Sequence, residues 1–253
     1  MTQPRVAPSL STIALVALTS LAASLLLSAC KPANKNAQTT AAVPTPTQPA
    51  PAAPAPTTQS PAQDAQSSPS AQPLIICFGD SLTAGFGTDL GQSYPDHLQH
   101  LLDADGYHYH VVNAGISGNT TKDGLDRVQL VIDRHPKIVV VEFGGNDGLR
   151  GLPIDQTQAN LSSILSQLQA SGAEVVLAGI TLPPSYGPDY IKNFDAMYPA
   201  LAKQHNIHFL PFLLKDVYGV PGDMQEDATH ATAQGNQQVA RNVEALLKPL
   251  LKK

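Results

Sequence analysis

From Pro73 onward the residues predict an α/β fold: three α/β/α layers around a flavodoxin-like, doubly wound sheet of about five parallel strands. Three observations carry that reading. Short runs rich in β-branched residues alternate with longer amphipathic segments, the apolar runs number five, and a helix candidate sits between or after them, as right-handed crossovers require. Strands are expected at residues 74–78 (LIICF), 109–113 (YHVVN), 138–143 (IVVVEF), 174–180 (EVVLAGI) and 207–211 (IHFLP). Helices are expected at 93–104, 122–135, 156–170, 188–204 and 233–250, each with apolar positions at helical spacing.

The rest of the 253-residue chain has a different character, so one folded domain is expected, at 73–253. Residues 1–29 carry one early cation, Arg5, and then the uncharged run IALVALTSLAASLLLSA. This reads as a secretory signal peptide, with a membrane-spanning anchor as the competing reading because the run approaches spanning length. The tetrapeptide LSAC at 27–30 resembles the lipobox of bacterial lipoproteins, in which the cysteine is acylated. That resemblance implies lipidation at Cys30 and a cell-envelope lipoprotein on the periplasmic face, held to the membrane by its lipid. Lys31 in the following position leans toward the outer membrane. From Cys30 to Gln72 there is Pro, Ala, Thr, Gln and Ser but no Leu, Ile or aromatic residue, which reads as a disordered tether.

Cys77 lies inside an apolar run and has no partner if Cys30 is lipidated, so we read it as a buried strand residue rather than as a disulfide half or a nucleophile. The net charge of −5 provides no basic footprint for nucleic acid. No cofactor site is visible, and a monomer is expected.

In an open α/β sheet, ligands bind beyond the carboxyl ends of the strands, so reactive residues belong in the segments that follow them. Those segments are GDSLTAG, AGISGNT, GGNDGLRG, TLPPSYG and the long stretch through QEDATHA. Ser81 is either a helix cap or a nucleophile. Gly118 and Asn146 are either ordinary turn residues or oxyanion donors, through a backbone N–H and a side-chain amide respectively. Two Asp-x-x-His patterns compete for the base: Asp105 with His108, and Asp227 with His230. His108 precedes a strand and falls at the amino edge of the sheet, whereas His230 follows the last strand and shares the edge of Ser81. His108 and His110 on one strand face form at most a metal pair without a third ligand, so no metal is expected. Asp80 and Asp147 are read as residues that orient their loops.

Ser81 in GDS, Gly118 in AGISGNT, Asn146 in GGND, and Asp227 with His230 together resemble the four motif blocks of the SGNH (GDSL) hydrolases, in order. GGNDGLRG, TLPPSYGPDY and LPFLLKDVY bring the chain closer to the bacterial thioesterase I, protease I and lysophospholipase L1 group, often labelled arylesterases. The resemblance implies the SGNH hydrolase fold, a Ser81–His230–Asp227 triad, and an oxyanion hole made by Ser81, Gly118 and Asn146. It implies a serine esterase acting on acyl or aryl esters, thioesters or lysophospholipids, with segments 148–153 and 181–188 walling an acyl pocket. An envelope carbohydrate or peptidoglycan O-acetyl esterase, and a tethered binding module without turnover, are the alternatives. In the last block Ala228 and Ala231 stand where the family commonly has Gly and Pro.

Overall fold

The computed structural model describes residues 72–253. The signal peptide at 1–29, the lipidation site at Cys30 and the tether up to residue 71 lie outside the described residues. Five strands, β1 (Leu74–Gly79), β2 (His110–Gly115), β3 (Ile138–Glu142), β4 (Glu174–Ala178) and β5 (His208–Leu210), form one sheet in the order β2-β1-β3-β4-β5. Every pairing is parallel. The order reverses on either side of β1, which puts a topological switch point at the carboxyl ends of β1 and β3.

Among the described residues, seven α-helices accompany the strands: α1 (Ser81–Ala84), α2 (Tyr94–Ala104), α3 (Thr121–Ile132), α4 (Gly145–Leu149), α5 (Ile154–Ala170), α6 (Pro188–His205) and α7 (Ala233–Leu247). The alternating side chains of the strands divide the core in two. Ile76, Phe78, Val139, Val141, Val175 and Leu177 pack under Val128 of α3, Leu161, Ile164 and Leu168 of α5, and Phe194 and Leu201 of α6. Ile75, Cys77, Ile138, Val140 and Val176 face Leu98 and Leu102 of α2 and Val239, Val243 and Leu247 of α7. Strands this apolar are stable only when both faces are covered. Cys77 is fully buried, and its burial pushes the thiol up to about 12, so it stays protonated and packs as a small apolar residue.

The sequence-based elements all appear, with shifted ends that have local causes. β5 stops at Leu210 because Pro211 has no N–H for the ladder. α3 starts at Thr121 under a capping box in which Thr120 and Asp123 satisfy each other's backbone N–H, and the helix ends three residues short of His135. α7 tightens into a 3-10 turn at Lys248–Leu250. α1 and α4 are absent from the sequence reading, since four or five residues cannot display helical periodicity. His108 falls outside β2, so it and His110 do not share a strand face.

Leu161 anchors α5 to the sheet with no solvent exposure. Leu161→Ala is expected to lower the unfolding free energy by about 2–5 kcal/mol, read as a lower urea midpoint at unchanged slope.

Candidate active site

Ser81 owes its position to the residue two before it. A β-carbon on Gly79 would lie 2.1 Å from Thr83 Oγ1 and 2.5 Å from Glu142 Oε2, so only glycine lets β1 run this close to β3 before turning. Asp80 then caps α1, its Oδ1 accepting the Leu82 N–H at 3.1 Å, and Ser81 becomes the first helical residue at the carboxyl edge of the sheet. At that position the backbone N–H of Ser81 has no intrahelical acceptor.

His230 reaches the same point from the far end of the chain. Its Nε2 is 2.8 Å from Ser81 Oγ, and its Nδ1 is 2.6 Å from Asp227 Oδ2. An ionised Asp227 only accepts, so Nδ1 carries the proton and Nε2 is left to accept from the serine hydroxyl. Asp227 Oδ1 also accepts the N–H groups of Thr229 (2.9 Å) and His230 (3.0 Å). Partial burial pushes the Asp227 carboxyl up, but the bonds from the His230 ring and from the two backbone N–H groups outweigh it and hold the group below its ordinary value. The loop is secured by a bridge between Met224 and Ala231 and by Gln225, whose side chain donates to Phe86 O at 2.7 Å and Ala231 O at 2.9 Å. Phe86 in turn lays its ring 4.7 Å from the His230 ring. Ala228 has φ +52°, the left-handed conformation that glycine takes without strain.

Asn146 joins Ser81 and His230 along one cavity. Its Nδ2 donates to Asp80 Oδ2 at 3.0 Å and to the Asn119 carbonyl at 3.1 Å. Gly118 lies in the neighbouring loop at φ +82°, its carbonyl accepting from Arg150 at 2.8 Å; it is not among the residues lining that cavity. Asp147 accepts both the N–H and the hydroxyl of Thr121, at 2.9 and 2.5 Å, which ties the β3 loop to the start of α3. Asp80 does the same for the first loop, and burial raises its carboxyl to about 6 against the bonds from Leu82, Asn146 and Glu142 and the charge of His230. The rival pattern is far away in chemistry as well as in topology: His108 is exposed before β2, and Asp105 pairs with Lys248 at 3.3 Å.

Several supporting residues escaped the sequence reading. Arg127 donates to Gly79 O, Ala114 O and Asn119 Oδ1, each at 2.8 Å, and stacks on Phe78 and Phe143, so one guanidinium holds the ends of β1 and β2 to the loop that braces Asn146. Glu142 is fully buried behind Asp80. The one sequence signal for it was a lone carboxyl group at the end of the run IVVVE, where a strand buried on both faces has no place for a charge.

The cavity occupies about 900 Å³ and runs from Ser81, Asn146 and His230 along Ile180, Leu182, Pro183 and Ile191 to Phe212 and Tyr218. Segments 148–153 and 181–188 both contribute walls, and Tyr186 fastens them together by donating to Leu149 O at 2.7 Å. Polar groups are few: beyond the Ser81 end, the side chains of Thr181, Lys192 and Asp195 and the hydroxyl of Tyr218 interrupt the apolar lining.

A parallel α/β sheet with a hydrogen-bonded Ser–His–Asp line at its carboxyl edge, opening on an apolar cleft, defines the architecture of a serine hydrolase. The GDSL-like lipase/acylhydrolase family model matches residues 77–238, and the chain belongs to that family. Esterase TesA of Pseudomonas aeruginosa is 45% identical over 183 residues, covering 72% of this chain and 90% of the relative. The thioesterase 1/protease 1/lysophospholipase L1 of Escherichia coli is 38% identical over 183 residues, covering 72% and 86%. The crystal structure of TesA aligns with a TM-score of 0.68 at 45% identity, covering 71% of this chain and all of that one.

Two expectations follow from the histidine loop. Ala228→Gly removes the left-handed strain, offset in part by the freer unfolded chain, and is expected to raise the unfolding free energy by about 0.5–1 kcal/mol in urea titration. Because the folded state depresses the Asp227 carboxyl, its contribution to stability is present above the unfolded value of about 3.9 and is lost as pH falls through the folded value. The stability difference between wild type and Asp227→Asn is therefore expected to hold steady down to about pH 4 and to shrink below it.

Proposed function

We propose that this chain is a serine esterase that cleaves carboxylic esters and thioesters of acyl or aryl type through an acyl-enzyme on Ser81. The observation that carries the proposal is the 2.8 Å bond between Ser81 Oγ and His230 Nε2 at the mouth of an apolar cavity. Membership of the GDSL-like family and the names of the relatives, esterase and thioesterase/lysophospholipase, support it.

In the first step Ser81 Oγ attacks the carbonyl carbon and its proton passes to His230 Nε2. Asp227 stabilises the imidazolium that forms, and the negative oxygen is met by the N–H groups of Ser81 and Gly118 and by the Asn146 amide. Asn146 supplies its bond by releasing or sharing one of the two it makes to Asp80 and Asn119. His230 then returns the proton to the leaving alcohol, phenol or thiol. In the second step water attacks the acyl-enzyme, giving its proton to His230, and Ser81 leaves as the free hydroxyl while the acid departs.

The size of the cleft bears on the substrate. At about 900 Å³ it stands near the top of the ~300–1,000 Å³ range of small-molecule sites, and its walls are aliphatic and aromatic. This favours an acyl chain well beyond acetyl and counts against the O-acetyl esterase alternative. The lipobox-like LSAC and the tether support attachment to the cell envelope through a lipid on Cys30.

The test is hydrolysis of a p-nitrophenyl ester series by wild type, Ser81→Ala, His230→Ala, Asn146→Ala and His108→Ala. Expected are loss of turnover in the first two variants, a fall of ~10²–10³ in kcat for Asn146→Ala, an unchanged His108→Ala, and a rate that rises from acetyl to longer chains. Activity that survives in Ser81→Ala, or that is confined to acetyl esters, overturns the proposal.

A further inference from the structure

Behind the Ser81 turn sits a carboxyl group for which the two-step mechanism has no use. Glu142 ends β3 in register with Gly79 and is fully buried. Its Oε2 accepts the Thr83 hydroxyl at 2.7 Å and the Asp80 N–H at 3.3 Å, while its Oε1 is buried with no donor in reach. Asp80 and Glu142 are thus buried side by side, and in such a pair one carboxyl group keeps its proton.

The donors decide which one. Asp80 receives Leu82 N–H on Oδ1 and Asn146 Nδ2 on Oδ2, both of which favour its ionised form. Glu142 has its donors on one oxygen only, and the other is the natural seat of a proton. No cation answers it: Arg127 spends its bonds on Gly79, Ala114 and Asn119, and the groups facing Glu142 from α2 and α6 are the hydroxyls of Tyr94 and Tyr198. Tyr198 donates to Phe143 O at 3.0 Å, and Tyr94 lies 3.4 Å from the Thr83 hydroxyl. A second negative charge beside Asp80 in this dry pocket is strongly disfavoured.

We propose that Glu142 is held as a neutral carboxylic acid and serves as the positioning residue of the active-site turn. Oε2 takes the Asp80 N–H and the Thr83 hydroxyl, fixing the entry to α1. Asp80 is thereby aimed at Asn146, the oxyanion donor of the proposed esterase, on which the catalytic half of this inference rests. A neutral Glu142 also adds no second negative charge, beyond that of Asp80, beneath the place where the oxyanion forms. Burial and the neighbouring Asp80 charge raise the Glu142 carboxyl well above its ordinary value, in accord with this geometry.

The chain contains four glutamates, and the other three are set apart: Glu174 and Glu226 are exposed, and Glu244 pairs with Lys248 at 3.4 Å. Infrared spectroscopy of the full chain with carboxyl-13C glutamate therefore reads Glu142 without any mutation. At about pH 8, where exposed carboxyls are ionised, the labelled sample is expected to keep one protonated C=O band, which Glu142→Gln removes. In the kinetic arm, with p-nitrophenyl butyrate, Glu142→Gln is expected to keep kcat within about 3-fold, and Glu142→Ala to lose about 10-fold or more in kcat at unchanged KM. Absence of the labelled band at about pH 8, or equal kcat in the Gln and Ala variants, overturns the inference. The infrared result stands apart from the esterase reading, which fails separately if Ser81→Ala keeps its activity; if the variants do not fold, the labelled wild type decides the matter alone.

Discussion

The contact on which this site depends is the close approach of Gly79 to Thr83 and Glu142, where a single β-carbon would collide with both. It lets β1, at the switch point of the sheet, end beside β3 and deliver its next residues straight to the carboxyl edge. Asp80 and Ser81 are then oriented by backbone geometry before any catalytic partner arrives. Arg127 reinforces the same junction from the other side by gathering the carbonyls of Gly79 and Ala114. A turn held on two sides in this way spends little entropy when substrate binds.

Around this turn the protein distributes charge unevenly. Asp227 is stabilised as a carboxylate by three donors and stands partly in solvent, where its charge can answer an imidazolium. Asp80 and Glu142 are buried together, and their surroundings leave room for one charge between them. Three carboxyl groups within one small region thus have three different tasks, and burial and donor count assign them. The apolar cleft begins where this polar cluster ends.

The histidine loop shows how a departure from a familiar pattern is absorbed. Ala228 stands in the left-handed region, the conformation that explains why glycine is commonly found there. The loop keeps its shape through the Met224–Ala231 bridge and the double anchorage of Gln225, and the His230–Asp227 bond survives. Local strain of this kind persists where surrounding contacts over-determine the backbone.

Much of this was legible in the chain itself. Period and composition marked five buried strands and five long helices, because an all-parallel sheet needs strands apolar on both faces and helices apolar on one. The order of those elements was enough to separate His230 from His108, since only one of them follows a strand. What the linear pattern could not contain are meetings between distant segments: Ser81 and His230 are 149 residues apart and touch at 2.8 Å. Glu142, Arg127 and Phe86 were assigned nothing from the sequence, because the role of each is set by neighbours from other elements. Local sequence determines which face a residue presents; burial, and with it proton affinity and the shape of the cleft, is decided only when the elements close around it.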